Sequence, residues 1–161
     1  MRLPFIGRSS PPLLGWFGKL PAVGDYAGRG LPVALREAVY AWFADGMAML
    51  VERHGDQWQA AYQLSPVWHF AMNPGVWDTR ALTGCVAPSV DRVGRCSPLA
   101  AMRSIEPERI ADHLPPHSDW SCKVEALLRR TIAEGMSVES VQAELDAALR
   151  TEGPLGASAG H

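Results

Sequence analysis

The stretch GDYAGRGLP, residues 24–32, gathers glycine, aspartate and arginine in the manner of an anion-binding loop, and it follows GWFGKLP, which holds Lys19, one of only two lysines in the chain. The spacing Asp25-x-x-Gly28-Arg29-x-x-Pro32 returns as Asp91-x-x-Gly94-Arg95-x-x-Pro98. Glycine-rich segments expose backbone N–H groups to an anion. Lys19, Arg29, Arg92 and Arg95 add cations where no core demands them. The same residues admit an ion-pair reading, because Asp25 and Asp91 each have an arginine nearby that keeps a carboxylate ionised. If both segments leave a sheet at the same end, Asp25 meets Arg92 or Arg95, and Asp91 meets Arg29 or Lys19.

Stricter motifs fail. A phosphate loop of the Walker type needs Gly-Lys-Ser/Thr with a further glycine five residues before the Gly-Lys pair, whereas Gly18-Lys19 is followed by Leu20 and preceded by Leu13 at the required place. A dinucleotide fingerprint needs Gly or Ala where Val33 stands. Turn chemistry alone accounts for much of the stretch: Gly18, Gly24, Gly28 and Gly94 read as turn glycines, Asp25 as a residue that bonds backbone amides, and Pro32 as a helix start. His113 and His117 are four apart, but Pro115 and Pro116 prevent a helical turn between them, and Cys96 and Cys122 are the only soft ligands to complete a metal site. His69 alternates with Trp68 and Phe70 in PVWHF and reads as a sheet-face residue. No GxSxG or cysteine-nucleophile signature is present, so the residues argue for no enzyme and no cofactor.

The bulk properties narrow the partners. With 161 residues, 47% hydrophobic, a net charge of -2 and a pI near 6.2, the chain is one ordinary domain without the basic excess that nucleic acid binding requires. Three cysteines with no CxxC pair fit free thiols in the cytoplasm. Prolines 4, 11 and 12 break any signal-peptide core, and no window is apolar enough to enter a membrane.

These residues must be held by regular elements. Residues 1–13 read as a flexible lead-in, 14–150 as one domain and 151–161 as a flexible tail. LLGWFGKLP reads as a strand and GDYAGRGLP as the loop after it. Leu35, Val39, Trp42, Phe43, Gly46, Met49 and Leu50 predict a helix over about 33–54, ended by Gly55, with Asp56 capping a short second helix. PVWHFAM, ALTGCVAP and SPLAAMR predict three strands joined by hairpin-like connections. Ser118 or Asp119 and then Ser137 cap two closing helices, the last docking through Val138, Val141, Leu145 and Leu149. The order predicts an α/β or α+β domain, a central mainly antiparallel sheet with helices packed on its faces.

GWFGKLPAVGDYAGRGLP, PVWHFAMNPGVW and GCVAPSVDRVGRCSPL, in this order, resemble the TagF family of type VI secretion-associated accessory proteins over about residues 14–103. Tyr26 stands where that family often has Phe, and Cys96-Ser97 where bulkier aromatics are common; the charged set Lys19, Asp25, Arg29, Asp91, Arg92 and Arg95 is intact. The resemblance implies a longin- or profilin-like fold and a cytoplasmic, post-translational repressor of the secretion machine, with the forkhead-associated scaffold protein or another component as partner. It leaves two readings of the charged segments. One is a binding module, with Trp77 in NPGVWD either an exposed anchor or buried beside its hairpin; the other is a sensor of an anion or phosphate ligand, with or without weak hydrolase activity.

Overall fold

The computed structural model describes residues 11–115 and 118–151, so residues 1–10, most of the tail and His117 lie outside the described residues. Strands β1 (Leu14–Lys19), β2 (Tyr26–Arg29), β3 (Trp68–Met72), β4 (Ala81–Ala87) and β5 (Leu99–Ile105) form one sheet in the order β2-β1-β5-β4-β3. Every neighbouring pair is antiparallel, and the three strands expected after residue 65 form in place. Helices α1 (Val33–His54) and α2 (Trp58–Gln63) come between β2 and β3, and α3 (Asp119–Glu134) and α4 (Val138–Arg150) close the chain. The fold is a single α+β domain.

Two apolar layers hold it. On one face Leu35, Val39 and Phe43 of α1 pack against Phe17, Leu82, Val86 and Met102. On the other, Trp16, Cys85, Leu99 and Ala101 meet Trp120, Val124 and Leu128 of α3 and Val141 and Leu145 of α4. Ser118 and Ser137 are the helix caps, their hydroxyls accepting from the N–H groups of Ser121 and Ser140.

Several expectations are corrected. GDYAGRGLP is not all loop: Tyr26–Arg29 forms the edge strand β2, because the Tyr26 ring stacks on Phe17 at 5.4 Å and Gly28, lacking a Cβ, lets the backbone close on the Trp16 carbonyl. Asp56 does not cap α2, since a 3-10 turn at Gly55–Gln57 runs straight into that helix. In α4 the buried set is Val141, Leu145 and Ala148, and Leu149 is turned outward. Leu13, placed in the lead-in, is buried, and its N–H donates to Ser104 Oγ at 2.7 Å.

The largest departure is in α1. Its packed stripe ends at Phe43; Trp42 and Met49, expected in that stripe, are exposed. Trp42, one residue before Phe43, stands on the flank of the helix beside the packed stripe; for Met49 the reason is length. A helix of 22 residues spans about 33 Å, whereas a strand of seven residues spans about 23 Å, so the last turns of α1 overrun the sheet.

Candidate functional site

The registers Lys19↔Tyr26, Gly18↔Leu99, Ala87↔Leu99 and Trp68↔Val86 bring one end of all five strands together. The turn 20–25 and the long connection 88–98 meet there. Asp91 is the centre of the meeting. Its Oδ1 accepts from the N–H groups of Val93 and Arg95 at 3.0 and 2.9 Å, and its Oδ2 accepts from Lys19 Nζ at 3.1 Å and Arg95 Nε at 2.7 Å. Burial alone would raise the carboxyl's pKa. The Arg95 N–H, the Lys19 ammonium, the Arg95 guanidinium and the Val93 N–H more than reverse this and hold it well below the usual carboxylate range.

The surroundings complete the lock. Ser89 Oγ donates to the Lys19 carbonyl at 2.7 Å, Tyr62 Oη donates to the Ser89 carbonyl and accepts from the Ser89 N–H, each at 2.8 Å, and Tyr26 Oη donates to Ser97 Oγ at 2.8 Å. Ser89, Asp91 and Ser97 are all buried. Buried polar groups with every partner in place rigidify a segment, so the 88–98 connection has one shape. The Arg92 N–H donates to the Val23 carbonyl and Arg95 Nη2 to the Gly24 carbonyl, which ties the two segments together.

The residues singled out by sequence therefore separate. Lys19, Asp91 and Arg95 converge as one cluster. Asp25 does not join an arginine: its carboxylate accepts from the Tyr26 N–H at 2.7 Å, because it closes the turn into β2. Arg29 lies opposite Trp16, three positions along the strand from the Tyr26 end, and donates to the Gly28 carbonyl, so it is away from Asp91. Arg92 is exposed, and its guanidinium lies over Gly24 with no ion pair among the described residues. Of the four turn glycines Gly24 stands in the turn 20–25, and Gly94 in the second turn, at φ +86 with its N–H donating to the Asp91 carbonyl. Gly18 and Gly28 stand inside strands, and Gly24 leaves room for Arg92. His113 carries no metal geometry, since its Nδ1 faces the Arg103 guanidinium at 3.0 Å, and no metal-ligand cluster occurs among the described residues.

An open apolar cleft of about 230 Å³ lies beside this cluster. Trp42 and, from the overrunning part of α1, Met47 and Leu50 line one side, and Tyr62, Pro66, Trp68, Pro88 and Pro98 the others. Trp42 and Trp68 are 48% and 64% exposed, which makes them the accessible aromatic residues at this site. Trp77 is half-buried instead, packed edge-on between Trp42 and Phe70.

One constellation was missed by sequence. His69 Nδ1 lies 3.3 Å from Cys85 Sγ, and its Nε2 lies 2.5 Å from Glu125 Oε2, in the order thiol, imidazole, carboxylate. The sulfur is fully buried, and burial, with lesser contributions from Glu125 and Cys122, pushes its thiol up to about 12. A protonated, inaccessible thiol is no nucleophile. The array instead fastens edge strand β3 to α3. The His69 and Arg129 hydrogen bonds lower the Glu125 pKa from its ordinary 4.5, so the ionised form stabilises the fold above that pH and the contribution disappears as pH falls below it. At pH 6 to 7, Glu125→Gln therefore melts about 3 °C below the parent, and the gap narrows as the pH falls below that ordinary value in a thermal melt series.

The arrangement defines the molecule as a single-sheet α+β domain whose open surface is an apolar cleft beside arginine-bearing loops. The chain belongs to the TagF N-terminal domain family, type VI secretion system-associated, whose model matches residues 15–148. It is similar to PA0076 from Pseudomonas aeruginosa PAO1, a crystal structure, at 36% identity and a TM-score of 0.76, over 88% of this chain. The chain spans 63% of that protein's length. A search of curated proteins gave no match. No helix among the described residues is long and apolar enough to cross a membrane.

Proposed function

We propose that this chain represses type VI secretion post-translationally, in the cytoplasm and without catalysis, by binding a component of the machine such as its forkhead-associated scaffold protein. Family membership supports the pathway, and the open Trp42–Trp68 cleft is the observation that supports a binding role. Exposed aromatic side chains beside arginines are the composition of protein interfaces. Two measurements test the proposal: capture of the purified scaffold by the chain, and the frequency of assembled secretion machines in cells that overproduce it. Repression with capture is expected; assembly unaffected by overproduction overturns it. Arg92→Ala, which breaks no ion pair, is expected to weaken capture about tenfold, while Arg29→Ala leaves it unchanged.

The ligand-sensing reading rests on one feature: the Arg92 and Arg95 guanidiniums flank Gly24. A phosphate-bearing ligand held there at about 100 times its Kd adds about 2.7 kcal/mol of stability. A panel of nucleotides and phosphopeptides that leaves the melting temperature unmoved removes this reading.

A further inference from the structure

We propose that the cleft under the overrunning end of α1, together with Arg92 and Arg95, is the docking surface for an acidic amphipathic segment of a protein partner. One bulky apolar side chain of that segment seats between Trp42 and Trp68, and its carboxylates face the two guanidiniums. The inference rests on the reading of the chain as a binding domain, and names the surface and the chemistry it selects.

The cleft is suited to an apolar side chain. The hydroxyls in its lining are engaged, Tyr62 Oη with Ser89 and Ser65 Oγ with the Ala61 carbonyl, so no hydroxyl there is left to reward a polar guest. Leu64 and Met49, 84% and 60% exposed, extend the apolar surface beyond the cleft itself. An apolar patch this open on a folded domain marks an interaction site.

The choice of an acidic partner follows from charge. The connection that gives Pro88 and Pro98 to the cleft wall also carries Arg92 and Arg95. Asp91 is consumed internally by Lys19 and Arg95, and Asp25 is turned to its own turn. Lys19, Arg92 and Arg95 against Asp91 and Asp25 leave the two loops with a net charge of +1, on a chain whose net charge is -2. The chain's own residues 1–10, MRLPFIGRSS, are apolar enough for the cleft but hold two arginines and no carboxylate, so the loops repel them.

The test uses the full chain and three synthetic probes: a short helical peptide of Glu, Leu and Phe, its counterpart with Lys for Glu, and MRLPFIGRSS. Indole fluorescence and light scattering are read. The acidic peptide is expected to bind at micromolar Kd, at least tenfold more tightly than the basic one, with the advantage shrinking as salt rises. Trp68→Ala, a change on an exposed edge-strand position, is expected to raise that Kd about tenfold, and Arg92→Ala to remove most of the salt dependence. Equal binding of both helical peptides, preference for MRLPFIGRSS, a dimer that closes the cleft, or full binding by Trp68→Ala overturns the proposal. The cell assay separates the two levels. Repression retained by Trp68→Ala refutes the surface alone, whereas peptide binding without repression refutes the function and leaves the surface standing.

Discussion

Replacing Asp91 by alanine lowers the melting temperature by about 10 °C and loosens the whole 88–98 connection. Among the described residues the carboxylate is the one group that Lys19 Nζ and Arg95 Nε share, and it also closes the turn through the Val93 and Arg95 N–H groups. Alanine therefore leaves a buried ammonium without its counter-charge, held by the Arg95 carbonyl at 3.5 Å and the Tyr26 ring face, and strands two backbone donors. Asp91→Asn keeps an oxygen for the two N–H groups but turns an NH2 donor toward Lys19 and Arg95, so it loses the charge and that acceptor while sparing the turn, and its fall is smaller than alanine's. Adding Lys19→Met to Asp91→Asn recovers part of the loss, because the unpaired cation is then gone. Acid acts on the same group in a defined direction. The folded carboxyl is held below its ordinary 3.8, so its contribution is complete above that pH and declines only as the pH falls further. Calorimetry of the four proteins checks the ranking, and an Asp91→Ala melt equal to the parent's refutes the account.

Gly18→Ala produces the second large effect, a loss of about 3–5 kcal/mol and a melting temperature lower by about 10 °C or more. Gly18 has φ +149, which side-chain-bearing residues rarely adopt, and a Cβ there would stand 2.3 Å from the Pro98 carbonyl oxygen and 2.6 Å from Leu99 Cα. Both obstacles are backbone, so β1 has to move away from β5 at Gly18↔Leu99, the pair that anchors the end of the sheet. Gly94→Ala is the control. It has a positive φ as well, +86, but open space around it, and is expected to cost about 1 kcal/mol. Equal stabilities for the two variants would show that dihedral preference, not strand contact, is what Gly18 serves.

The sequence was legible where local rules and packing agree. Three apolar runs bounded by Pro, Gly and Asn become β3, β4 and β5, and the capping serines sit where the helices begin. The repeated DxxGRxxP spacing led to the expectation that Asp91 meets Arg29 or Lys19; Lys19 is the partner, and the reciprocal pairing of Asp25 with Arg92 or Arg95 did not occur. The repeat is local in origin: the first copy enters a strand and the second closes a turn. What spacing cannot carry is relative length. The periodic positions of α1 continue past Phe43, and nothing in their pattern tells that the sheet has already ended. His69, Cys85 and Glu125 were hidden for a different reason. His69 and Cys85 are directly opposed in the β3–β4 register, but a register is visible only after the hairpin is aligned, and Glu125 arrives from a helix 40 residues beyond Cys85.

The closed hydrogen-bond set around Asp91 has a consequence for how the surface is used. A loop whose shape is fixed by its own interior leaves little disorder to lose when something settles on it, so contact energy goes into affinity instead of into ordering. Encounter on such a surface is close to rigid docking, with the backbone of residues 88–98 shifting by about 1 Å or less between free and occupied states. Selectivity then resides in the guest, which must bring the right shape to a template that does not adapt.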